Sequence, residues 1–331
     1  METTNRVKLG STGPEVFPIA LGCMGMGGGS FYGETDEAEN IATIHAALER
    51  GVDLLDTGDF YGSGRNELLV GKALKGRRDR ALLSVKFGAL RAPNGAFVGF
   101  DARPAAVKNF LTYSLARLGV DHIDIYRPSR LDPSVPIEDT IGAVAEMVKA
   151  GYVRHIGLSE VGADTIRRAA AVHPIVDLQI EYSLVSRGPE ATIFPALDQL
   201  GIGATIYGVF SRGLLTGTRP SGPQDFRAHL PRFAGDNLER NRPLVEALAR
   251  VAGARGVTPA QLAIAWVRAR RPSSVPTLGS RTRAQLEEAI GALAIRLTGE
   301  EVAALEAAVP AEAVAGTRYA EAQMKHLDSE R

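Results

Sequence analysis

VDLLDTGDFYG, residues 52–62, begins as an apolar run and breaks at Asp56 into a polar turn that carries Tyr61. A short run of that kind fits a strand buried on both faces of a sheet. Comparable runs recur at ALLSVK (81–86), HIDIY (122–126), RHIGLS (154–159), VDLQI (176–180), GATIY (203–207) and SVPTL (274–278), with a weaker first one at FPIALG (17–22). Between these eight lie amphipathic stretches such as TDEAENIATIHAALERG, RPAAVKNFLTYSLARLG, PIEDTIGAVAEMVKAG and TPAQLAIAWVRARR. Thr35 or Asp36 suits a helix N-cap, and Gly51, Gly119 and Gly151 suit helix stops. Doubly buried strands separated by helices pair in parallel through right-handed crossovers, and eight such units predict a closed (β/α)8 TIM barrel. The rival is a doubly wound open sheet, which with a nucleotide would show G-x-G-x-x-G after its first strand. GMGGGS (25–30) puts Ser30 where the third glycine belongs.

No linker divides the chain, so residues 1–331 are expected to form one domain, with a polar tail, helical or frayed, from about Glu312. The stretch 219–237 is Pro/Gly-rich and reads as a long loop between the seventh strand and the next helix. VKLGSTGPEVFPIALG (7–22) alternates about a Gly-Pro turn, which fits either an N-terminal β-hairpin closing the barrel floor or an irregular arm. The 38 Lys+Arg balance 38 Asp+Glu, so no bulk field recruits nucleic acid or an anionic membrane. One cysteine, Cys23, and no zinc-like Cys/His spacing predict neither a disulfide nor a metal and suit a reducing cytoplasm. The longest uncharged stretch, Val16 to Gly33, holds six glycines and a proline and is too polar to span a membrane. METTNRVKLG has no apolar signal core.

In a barrel, chemistry gathers at the C-terminal ends of the strands. Those ends carry Asp56 with Tyr61 after it, Lys86, Ser159, Gln179 and Tyr207. A buried lysine needs a carboxylate, and Asp56 is the candidate. Their ion pair beneath Tyr61 would pull the phenol's pKa down and fit it to protonate a developing alkoxide. The plainer reading makes Asp56 a cap or turn former, Tyr61 turn packing, and Lys86 a residue that snorkels to solvent.

VDLLDTGDFYGSGRNELLVGKAL, LSVKFG, VRHIGLSEV, DLQIEYSLVSR, GIGATIYGVFSRGLLTG and LGSRTRAQLEEAIGAL occur in that order, and together they resemble the aldo-keto reductase superfamily over nearly the whole chain. The resemblance implies carbonyl reduction with a nicotinamide dinucleotide, usually NADPH. It implies Tyr61 as proton donor, tuned by Lys86 and Asp56. Ser159 and Gln179 would bond the carboxamide, and Tyr207 would stack on the nicotinamide. Phe210, Ser211, Arg212 and Gly213 would meet the pyrophosphate. Gly279, Ser280 and Arg281, with Gln285 and Glu288, would hold the adenosine end. A fork of donors at Arg281 suits the 2′-phosphate and favours NADP(H).

The likeness departs at DIYRPSRLDP (124–133), which puts Ser129 where the family has a histidine that orients the carbonyl. Arg127 and Arg130 are the nearby donors, while His122 lies seven residues earlier. RLDPSVPIE (130–138) resembles the pyridoxal reductase branch, which points to an aromatic aldehyde. Glu160 and Ala289 stand where asparagines are common, which implies weaker cofactor contacts. The substrate pocket is expected to be lined by Met24, Met26, Phe31, Tyr32, Phe60, Phe87 and the loop at 219–236. Besides a reductase of small-molecule carbonyls, the residues allow a cofactor-binding sensor or auxiliary subunit, or an alcohol dehydrogenase working in reverse.

Overall fold

The computed structural model describes residues 6–27, 32–33, 35–222 and 225–331. The chain enters through an antiparallel hairpin of Val7–Lys8 (β1) and Glu15–Val16 (β2), so of the two readings the hairpin is the one formed. Leu9 and Val16 pack with Ala20, Leu54, Ile125, Val176 and Val275 into an apolar plug near the strand starts. Gly10 permits the turn, because its φ is +61° and a Cβ there would stand 2.7 Å from the Val176 and Gly201 carbonyl oxygens.

Ala20–Gly22 (β3), Leu54–Gly58 (β4) and Leu82–Phe87 (β5) follow, then a second hairpin of Ala89–Arg91 (β6) and Phe97–Phe100 (β7). Ile123–Pro128 (β8), Val153–Ser159 (β9), Ile175–Glu181 (β10), Gly203–Tyr207 (β11) and Ser274–Gly279 (β12) complete the strands. Outside the hairpins, eight parallel strands close a barrel in the order β3-β4-β5-β8-β9-β10-β11-β12 and back to β3. The helices are Glu37–Glu49 (α1), Arg65–Leu74 (α2), Pro104–Leu118 (α3), Ile137–Lys149 (α4), Ala163–Val172 (α5), Ile193–Leu200 (α6), Asn237–Ala254 (α7), Pro259–Arg270 (α8), Arg283–Gly291 (α9), Gly299–Ala308 (α10) and the short Glu321–Met324 (α11). Asp36 is the α1 cap, its carboxylate accepting from the Ala38 and Glu39 amides, which contributes about 1 kcal/mol. No helix among the described residues is long and apolar enough to cross a membrane.

All eight apolar runs become barrel strands, with shifted ends. β4 starts two residues later than VDLLD, because Val52 still closes the turn after α1 through its amide to the Ala47 carbonyl. Asp56 therefore lies inside β4 rather than at its end. The β6–β7 hairpin went unforeseen, although Asn94-Gly95, with Gly95 at φ +82°, is its turn signal. The tail is docked rather than frayed. Asn241 clamps Ala315 through both its amide atoms at 3.0 and 2.7 Å, and Tyr319 and Leu327 pack with Leu214, Leu230 and Phe233.

Candidate active site

The barrel register sets Asp56 beside Ser84, Gly58 beside Lys86, Lys86 beside Arg127, and Gln179 beside Ser159. Lys86 Nζ donates to Asp56 Oδ1 at 2.5 Å and to Gln179 Oε1 at 3.0 Å. Gln179 Nε2 and Ser84 Oγ each donate to Asp56 Oδ2 at 2.8 Å. With side chains only 5% and 7% exposed, the ion pair holds because these hydrogen bonds offset its desolvation. Below it, Arg127 Nη2 donates to Ser84 Oγ at 3.1 Å and Nη1 to Asp177 at 3.0 Å. Arg127 is thus locked into the barrel interior and does not reach the mouth.

Tyr61 opens a 3-10 turn whose Gly62 and Ser63 take left-handed φ values of 55° and 53°. The turn sets its ring 5.2 Å from Lys86 Nζ and edge-on to Phe60 at 4.8 Å. The expected fall in the phenol's pKa does not occur. Burial and the Asp56 carboxylate push it well above the ordinary range, and Arg130 is the cation that pulls the other way. The reason is that burial of the ring outweighs the nearby cations, and Asp56, which holds Lys86, adds to the rise. Burial likewise lowers the Lys86 pKa, with Asp56 opposing. Tyr61 is held protonated, the state a proton donor requires.

Ser129 reaches the cavity wall with a buried Oγ that has no hydrogen-bond partner among the described residues. Arg130 curls back so that Nη1 donates to Ser129 O at 2.6 Å and to Ser159 Oγ at 3.5 Å, and Nη2 to the Tyr319 hydroxyl at 3.4 Å. The Tyr207 hydroxyl donates to Glu160 Oε1 at 2.8 Å and lies 3.0 Å from that of Tyr319. Glu160, expected beside the cofactor, faces the tail instead. It accepts from both Arg318 terminal nitrogens at 3.1 and 2.9 Å and from Ser329 Oγ at 2.6 Å. Burial alone would raise its pKa, but Arg318 and its neighbours hold it down at about 2. Its φ of +54° is unfavourable for a residue with a Cβ and persists because this network fixes it.

A cavity of about 710 Å³ runs past Tyr61, Lys86, Ser129, Ser159, Gln179 and Tyr207 to Gly279, Ser280, Arg281, Gln285 and Glu288. Phe210, Arg212 and Gly213 line its side, Arg212 and Gly213 in left-handed backbone. Ser211 departs from expectation, turning away to accept from Arg232 Nη1 at 2.7 Å. Arg281 crosses the cavity to donate to Tyr32 O at 3.2 Å, whereas Arg283 is held by Glu39 at 2.9 Å. Arg227 of the long loop lies 5.5 Å over the Tyr32 ring.

Met24, Tyr32 and Phe60 line the cavity as expected, and Phe31 lies outside the described residues. Met26 and Phe87 do not line it. Strand alternation points Phe87 outward, onto Tyr126 at 4.4 Å, and Met26 is buried in the core. Sequence reasoning missed the outer wall, lined by Arg91, Phe97 and Phe100 of the β6–β7 hairpin and by Gln323, His326 and Leu327 of the tail, with both phenylalanines edge-on to His326.

Behind Tyr61, Asp59 is buried with Oδ1 unpartnered among the described residues, and burial together with Glu67 pushes its pKa up to about 7. A folded pKa above the unfolded one favours the protonated form, so this contribution is complete below about pH 4 and is lost as pH climbs through about 7. Asp59→Asn is expected to flatten that decline, as urea melts at pH 5 and 8 would show.

Residues 18–310 match the model of the aldo/keto reductase family. Probable aldo-keto reductase 1 of Glycine max is 40% identical over 319 residues, 95% of this chain and 91% of that protein. The glycerol dehydrogenase of Gluconobacter oxydans superposes with a TM-score of 0.83 at 26% identity, covering 92% of this chain and 95% of that one. An aldo/keto reductase of Klebsiella pneumoniae, solved with NADP and acetate, gives a TM-score of 0.72 at 25% identity over 92% and 95%. Motif order and barrel topology agree with these likenesses, and the chain belongs to the aldo/keto reductase family.

Proposed function

We propose that this chain, acting as one domain over residues 1–331 in the cytoplasm, reduces an aldehyde or ketone to the alcohol with NADPH. The observation that carries the reading is the Lys86–Asp56 pair buried beneath Tyr61 in the wall of a cavity that continues to Arg281. A nicotinamide cofactor, when bound, supplies the hydride. Tyr61 protonates the carbonyl oxygen as it gains electrons, and Lys86, Asp56 and Gln179 hold a fixed polar floor beneath it. Ser129 offers its unpartnered hydroxyl to the same oxygen. Ser159 would donate to the carboxamide of the bound cofactor and Tyr207 would stack on its nicotinamide. The left-handed turn at Arg212–Gly213 and the Arg281 fork offer donors to phosphates, which fits a dinucleotide. The complex of the Klebsiella pneumoniae relative with NADP supports the same choice.

The test is NADPH oxidation over a panel of aromatic aldehydes, pyridoxal, quinones and sugar-derived ketones, with NADH in parallel. NADPH binding without turnover on any of them would favour the sensor reading, to which Ser129 lends support. Arg281→Ala is expected to raise the KM for NADPH about 10–100-fold, from losing charged hydrogen bonds of about 1.5–3 kcal/mol, and to leave that for NADH unchanged.

A further inference from the structure

Around the proton donor, the cations divide into two kinds. Lys86, Arg212 and Arg318 each have a carboxylate within 4 Å: Asp56 at 2.5 Å, Glu181 at 3.8 Å and Glu160 at 2.9 Å. Arg130 does not. Among the described residues its hydrogen-bond partners are all neutral oxygens, those of Ser129, Ser159 and Tyr319, the last two at 3.4–3.5 Å. A guanidinium has five donors, and these contacts leave part of the fork for the cavity that Arg130 lines. It follows Ser129 directly, so its charge lies beside the place where Tyr61 and Ser129 receive a carbonyl oxygen.

We propose that Arg130 is an anion-binding residue of the substrate site, and that the preferred substrate carries an anionic oxygen next to its reacting carbonyl, as a 2-oxo acid does. This rests on the reductase reading above. The carbonyl oxygen meets Tyr61 and Ser129, and the adjacent carboxylate meets the Arg130 fork, whose planar donors match it. Hydride from the reduced nicotinamide joins the carbonyl carbon while the C=O π pair moves to oxygen, which takes the Tyr61 proton. The nicotinamide leaves oxidised, and the carboxylate passes into the 2-hydroxy acid unchanged.

The experiment compares phenylglyoxylate with its methyl ester on the wild-type protein, Arg130→Gln and Arg130→Lys, and follows benzoate binding to the protein–NADPH complex by cofactor fluorescence. Arg130→Gln is expected to lose about 10–100-fold in kcat/KM on the acid, the worth of a charged hydrogen-bonded contact, with little loss on the ester. Benzoate binding should weaken in parallel, NADPH affinity and the thermal midpoint should hold, and Arg130→Lys should fall between. Equal losses on acid and ester, or a fall in NADPH affinity and midpoint that accounts for them, would overturn the proposal in favour of a structural arginine. Benzoate held through Arg130 by a protein that reduces neither compound keeps this site and removes the reductase reading. Reduction of both compounds with no Arg130-dependent difference does the reverse.

Discussion

Tyr61→Phe is expected to lower kcat by about 10²–10⁴-fold, the usual worth of a positioned proton donor, with NADPH affinity close to normal. Phenylalanine keeps the ring, its edge contact with Phe60 at 4.8 Å and its place above Gly58, so only the acidic hydroxyl is lost. Stopped-flow single turnovers with a reducible aldehyde separate this loss from slow product release, and a variant with wild-type turnover would remove Tyr61 from the chemistry. The pH profile provides a second reading. Because burial and Asp56 raise the phenol's pKa, the rate of reduction should stay level through neutral pH on account of this group and fall only above the ordinary phenol range.

Arg127→Ala is expected to cost about 3–5 kcal/mol of stability, since it strands the Asp177 carboxylate in the barrel interior. Both side chains are fully buried, and the arginine also bonds the Leu158 carbonyl at 3.2 Å and Ser84 Oγ at 3.1 Å. That loss is a large share of the roughly 5–15 kcal/mol holding a typical protein folded. Urea unfolding measures it. The double variant Arg127→Met with Asp177→Leu should recover most of the loss, because an apolar pair of similar volume leaves no charge stranded. If the single variant melts like the wild type, the pair contributes nothing to folding.

Barrel order and most of the polar floor were legible because each depends on local pattern: apolar runs, strand ends and short ordered motifs. The Asp56–Lys86 pair was foreseen, but Gln179, read as a cofactor ligand, joins it because parallel register brings together positions whose spacing along the chain carries no such hint. Phe87 was misplaced although alternation with Lys86 already points it outward, where it stacks on Tyr126. The tail was opaque for a different reason. Arg318 reads as a solvated charge until Glu160 and Glu181, more than a hundred residues earlier, are seen to meet it at 2.9 and 3.3 Å. The sign of the phenol's shift was misjudged because a sequence shows which charges stand near the ring but not that the ring is buried, and burial is the largest cause of the rise.

The polar floor of Asp56, Lys86 and Gln179 beneath Tyr61 is rooted in barrel strands, whereas much of the outer wall comes from two appendages, residues 89–100 and 319–327. Neither appendage supplies a barrel strand. Grafting either one from a relative should therefore retune selectivity while sparing the reaction, and divergence among such proteins is free to proceed at the rim faster than at the hearth.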